Sequence, residues 1–211
     1  MGALSGTLSY KLFHVQGDLP RNWKERFVEA VNQHAFEELT PDNEDEETMG
    51  WVVVDRPLQT EFDLYSMLFD HFINLSLRHD RYVVPSALLN AHVAEAEREY
   101  LCENEKKKLS KFEQEDIKEM VKRRLKEQQL PRMRIIDMSW DIRSGRVRFW
   151  SQSNKMCELF QGFFQDTFGP KLLPGNPYIN AVELGLETDE VETLQGIEPT
   201  NFVTTPFSDR S

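Results

Sequence analysis

The side chains whose spacing most clearly suits a chemical task are cations. Lys118, Lys122 and Lys126 recur at every fourth position, with Lys111 seven residues ahead of Lys118. On a helix these four share one stripe. Arg123 and Arg124 broaden it, Lys106, Lys107 and Lys108 continue it through the preceding turn, and Arg132 and Arg134 carry it past the end of the helix. Evenly spread cations, with no constellation suited to reading base edges, fit contact with a phosphate backbone without sequence preference. A solvated helix face is the competing explanation. Glu115 precedes Lys118 by three residues and Glu127 follows Lys126, so pairing within the helix would neutralise part of the stripe.

Other chemistry has less support. There is no Gly-rich phosphate loop and no G-x-S-x-G elbow. The histidines at 14, 34, 71, 79 and 92 form no HxxxH pair, and Cys102 and Cys157 stand at no zinc spacing, so neither cofactor nor metal is expected. Glu105 and Lys107 form an E-x-K, a pairing found in metal-dependent nucleases. A charge-dense loop between helices is a poor place for a rigid ion site, however. Binding without catalysis is the expectation.

The net charge of -11 disfavours a polyanionic partner only until its distribution is read. Residues 106–148 hold 14 Lys and Arg against 7 Asp and Glu, leaving 11 against 29 in the remainder. Such asymmetry predicts a polarised surface, although long exposed helices also carry many charges. No segment approaches the ~20 apolar residues that span a bilayer, and no basic region followed by an apolar run opens the chain. Two distant cysteines suit free thiols in a reducing compartment. A cytoplasmic protein is expected, with no membrane partner.

The elements that must position these cations follow from periodicity. A strand is expected over 6–15, then a turn at Gly17-Asp18-Leu19-Pro20. A helix from about Asn22 to Phe36 carries Trp23, Phe27, Val28 and Val31 on one face. The acidic run 42–47 reads as an exposed loop, and 51–54 as a short strand. Apolar residues are too dense over 62–77 to choose a period. A strand from Phe69 to Leu77, turning at His79-Asp80 to an antiparallel partner over 81–84, is the expected arrangement there.

Next come two charged helical patterns. Leu89, Val93, Ala96 and Tyr100 mark one face, and Ile117, Val121 and Leu125 the other. Ser110 with Glu113 forms a capping box at the start of the second, and Pro131 stops it. Strands over 133–140 and 146–151 flank a turn ending in Gly145. Ser153 then caps a helix bearing Met156, Leu159, Phe160, Phe163 and Phe164, which ends at Gly169-Pro170. Leu172 and Leu173 make a short strand, and Pro174-Gly175-Asn176-Pro177 is expected to stay irregular. The fold class expected is α+β: β-α-β-β and β-β-α-β halves in a layered sheet-and-helix body (1–84 and 131–184). A long antiparallel helical hairpin (85–130) is inserted between them, and an acidic, loosely ordered tail (185–211) follows.

The order of motifs resembles the recombination-associated RdgC family of bacteria. The likeness lies in Gly50-Trp51-Val52, in Val84-Pro85-Ser86 before an Ala- and Glu-rich helix, and in the Lys-rich loop with Leu109-Ser110. It continues through Leu130-Pro131-Arg132, the Trp140-Asp141 strand with its Gly145 turn, and Asn176-Pro177. The resemblance implies a nucleoid-associated homodimer that encircles duplex DNA with little sequence preference and restrains RecA-driven recombination. The hairpin would then be a tip where subunits meet, with basic residues facing the duplex. Two departures qualify this. The sequence ends soon after its last expected strand, so the family's further C-terminal domain, which helps close the ring, is not expected here, and an open dimer or another assembly is the alternative. The family's aromatic residues after Leu-Pro-Arg are replaced by Met133 and Arg134, so only Arg132 carries over. A protein–protein adaptor or oligomerisation module without DNA binding is the second functional expectation, and a metal-dependent nuclease the third.

Overall fold

The structure, a computed structural model, describes residues 9–41 and 46–195. It is a mixed α/β fold on a curled antiparallel sheet. The strands are β1 (Lys11–Gln16), β2 (Glu47–Val52), β3 (Leu68–Phe69), β4 (Phe72–Arg81), β5 (Arg132–Asp141), β6 (Arg146–Phe149) and β7 (Lys171–Pro174). They run in the order β2-β4-β5-β6-β1-β7, with β3 on β4. The two expected halves are therefore interleaved, since β1 from the first sits between β6 and β7 of the second. Periodicity identifies a strand but carries no information about its neighbour.

Alternation along these strands places Leu75, Leu77, Ile136, Met138, Trp140, Val147, Phe149 and Phe13 in the core. That side is closed by helices α1 (Trp23–Gln33) and α5 (Asn154–Phe168). On α5 the buried residues Met156, Phe160, Phe164 and Phe168 recur at i+4, so a single stripe faces the sheet. Phe160 stacks on Phe149 with ring centroids 4.0 Å apart, and Phe27 of α1 meets Phe168 edge-on at 5.0 Å. Each such ring contributes about 1.5–3 kcal/mol by leaving water. Ser153 caps α5 as expected, accepting from the Met156 amide.

His79-Asp80 makes no turn. β4 runs straight through both, pairing with β2 on one side and β5 on the other. Asp80, 1% exposed, lies in the strand because Arg78 beside it on the same face donates to both carboxylate oxygens at 3.1 Å. The Arg78 guanidinium also stacks 4.0 Å over Phe36 and donates to the Pro57 carbonyl. Charged side chains that neutralise one another and are hydrogen-bonded can be buried on a strand, and local turn preference yields to the two flanking ladders.

The ambiguous stretch resolves into a short helix, α2 (Leu64–Met67), capped by Asp63, and the two-residue β3. β2 starts four residues earlier than expected, at Glu47; residues 42–45 of the acidic run lie outside the described residues. Gly50 is required where it stands. The backbone of Ala35 and Phe36 runs alongside β2 there in a parallel bridge, with the Phe36 amide donating to the Trp51 carbonyl at 2.9 Å and the Trp51 amide to that of His34 at 3.0 Å. A Cβ on Gly50 would collide with the Phe36 backbone.

Between β4 and β5 lie α3 (Ser86–Glu103) and α4 (Lys111–Glu127). They pack on each other, Ile117, Val121 and Leu125 against Val84, Leu89, Val93, Ala96, Tyr100 and Leu109, and form a small core separate from that of the sheet. The chain divides into two compact units, Met1–Leu173 and Pro174–Ser211. In the second, Asn176 caps α6 (Pro177–Glu183), so the segment expected to stay irregular begins a helix. Proline is accepted at the first helical position because its missing N–H has no partner there. α7 (Thr188–Gln195) falls in the stretch expected to be loosely ordered, and residues 196–211 lie outside the described residues.

Candidate nucleic-acid interface

The position of each cation on α4 follows from the side the helix buries. With Ile117, Val121 and Leu125 turned inward, the Lys111–Lys118–Lys122–Lys126 row runs along the flank of α4 rather than its outer crest. Toward the sheet this flank closes. Lys126 is 7% exposed, with its ammonium 5.9 Å over the Tyr82 ring, and Lys122 is bound to the Glu46 carboxylate. That hydrogen bond raises the Lys122 pKa and lowers that of Glu46. The row is thus no open stripe, and Lys126 is a packing residue. A long aliphatic stem buries well, and helical spacing does not show which flank faces another element.

Pairing within α4 and with the turn before it removes more of the charge. Lys106 is bound to Glu113, whose carboxyl also takes hydrogen bonds from the Ser110 amide and hydroxyl, at 2.8 and 2.9 Å. These contacts, Lys106 first, bring the Glu113 pKa down to about 2. Lys118 lies 3.7 Å from Glu115, and Arg123 3.4 Å from Glu127. Lys107, Lys108, Lys111 and Arg124 are exposed and form no ion pair among the described residues.

At the root of the helix pair the picture differs. Arg132 and Arg134, both exposed, open β5. Arg81 and Lys155 join them around one cavity, Arg81 from the end of β4 and Lys155 from the first turn of α5. None of these four forms an ion pair among the described residues. Arg81 and Lys155 were missed in the sequence, because they approach Arg132 only through the β4–β5 register and the docking of α5. One signal was legible: a lysine in the first turn of a helix sits at the positive end of its dipole, where a cation is unfavourable.

Glu105, of the E-x-K pair, is an exposed residue with φ of 50° just after α3. Among the described residues no three His, Cys, Asp or Glu side chains converge to hold a metal ion.

Residues 10–178 match the family described as "Putative exonuclease, RdgC". The chain belongs to the RdgC family. RdgC membership associates it with DNA recombination. The RdgC-like motifs fall at structural junctions: Gly50 at the close approach of Phe36, Val84-Pro85-Ser86 at the start of α3, Leu130-Pro131-Arg132 at the start of β5, and Asn176-Pro177 at the start of α6. No curated protein matches the chain. Among the described residues no helix is long and apolar enough to cross a membrane.

Proposed function

We propose that the protein binds duplex DNA without sequence preference and acts in recombination or replication, as a nucleoid-associated homodimer that modulates RecA-type strand exchange. The α3–α4 pair is the inserted antiparallel hairpin of this reading. The observation that carries it is the grouping of cations that form no ion pair among the described residues. Lys107, Lys108, Lys111, Arg124, Arg132 and Arg134 lie on the helix pair and at its root, in a chain whose net charge is -11. An acidic remainder that repels the polyanion would confine contact to that region. Family membership supports the same reading.

Fluorescence anisotropy with unrelated duplexes tests this. If about six phosphates are neutralised, affinity falls by about three orders of magnitude between roughly 50 and 200 mM salt, alike for every sequence. Salt-insensitive binding, or none at low salt, defeats the reading and leaves a protein–protein adaptor. Light scattering with and without duplex reports the dimer.

A further inference from the structure

The β4–β5 register sets Arg81 directly opposite Arg132 and His79 opposite Arg134. Like charges directly opposite one another destabilise a sheet. Alternation puts Arg132 and Arg134 on the side shared by Ile136, Met138 and Trp140, the side that α5 covers. There Lys155 adds a fourth cation at the positive end of the α5 dipole. Glu47, which lies opposite Arg81, is engaged by His79 at 3.1 Å instead. The four cations line a cavity of about 430 Å³, walled on other sides by Met133 and Leu159.

Each of these features costs stability in the isolated chain, and one bound anion would offset all of them. We propose that this cavity is a binding site for a phosphate monoester, the terminal phosphate of a nucleic-acid strand or of a free nucleotide. A backbone diester carries one negative charge, whereas a monoester carries about 1.5–2 and matches four converging cations better. Guanidinium forks bind phosphate oxygens in pairs, and Arg81, Arg132 and Arg134 supply three such forks. A cavity of this volume lies at the small-ligand end of binding pockets, and Met133 and Leu159 give it an apolar wall for a sugar or base. The strand-end source rests on the DNA-binding reading above; the free-nucleotide source does not.

The test compares two blunt duplexes of one sequence, labelled at the 3′ ends, with 5′-phosphate or 5′-hydroxyl. Thermal unfolding with deoxyadenosine monophosphate, deoxyadenosine or inorganic phosphate runs beside it. The 5′-phosphorylated duplex binds about tenfold tighter, the monophosphate but not the nucleoside raises Tm, and both effects vanish in the Arg132→Gln, Arg134→Gln double variant. A monophosphate shift without end preference keeps the site and assigns it the free nucleotide. Equal binding of the two duplexes with no monophosphate shift, or effects that persist in the variant, overturns the proposal. If neither duplex binds while the monophosphate still stabilises the wild type alone, the DNA-binding reading fails and the pocket stands.

Discussion

Arg81 and Arg132 face each other across the β4–β5 ladder, where the sheet gives up the chain to the helix pair and takes it back. Two guanidinium groups in adjoining positions, neither held by a carboxylate among the described residues, sit there at an electrostatic cost. Arg132→Gln is therefore expected to raise stability by about 0.5 kcal/mol at low ionic strength while weakening DNA binding. Urea unfolding at two salt concentrations checks the first part and anisotropy the second. Loss of stability on neutralisation would show that Arg132 has a partner that holds it in place.

Lys126 is expected to report on folding rather than on DNA. Lys126→Ala removes a stem buried against Tyr82 and should cost about 1–3 kcal/mol. Lys107→Ala and Lys108→Ala, both exposed, should leave stability within about 0.5 kcal/mol and reduce DNA affinity. Circular dichroism melts and duplex titrations separate the two classes; equal stability losses would contradict the assignment.

Acid should loosen the helix pair before the sheet core. Glu113 has a folded pKa of about 2, below its ordinary 4.5, because Lys106 and Ser110 stabilise its charged form. A depressed folded pKa contributes stability that is present above about pH 4.5 and is lost as pH falls toward 2. Glu113→Gln removes this contribution, so the variant's helix content should change less across that window. Identical acid titrations of wild type and variant by far-ultraviolet circular dichroism would refute it.

Gly50→Ala is expected to be severe, about 3 kcal/mol or more, because the new methyl meets the Phe36 backbone rather than a movable side chain. Gly162→Ala, with nothing within 4 Å of the added carbon on α5, should be neutral or stabilising. Their urea midpoints should move apart; coincident midpoints would mean that the Ala35–Phe36 segment beside β2 is not rigid.

The sequence by itself determined the local elements. The α4 capping box, the Ser153 cap, the β5–β6 hairpin with its Gly145 turn and the phenylalanine stripe of α5 are set within a few residues, by hydrogen bonds and periodicities that neighbouring side chains specify. Its motif order also pointed to the family. Tertiary structure decided what those elements meet. It drew β4 through His79-Asp80, since Arg78, which neutralises Asp80, is itself held by Phe36 and Pro57, far away in sequence. It placed β1 beside β6. It also redistributed the candidate interface. Spacing had marked Lys122 and Lys126 with Lys111 and Lys118, but an i+4 row shows only that side chains share a flank, and the element packed on that flank determines which charges reach solvent. Glu46 and Tyr82 take two of them inward. The strand register and the docking of α5 bring Arg81 and Lys155, remote in sequence, to Arg132 and Arg134, and there no carboxylate among the described residues pairs with the positive charge.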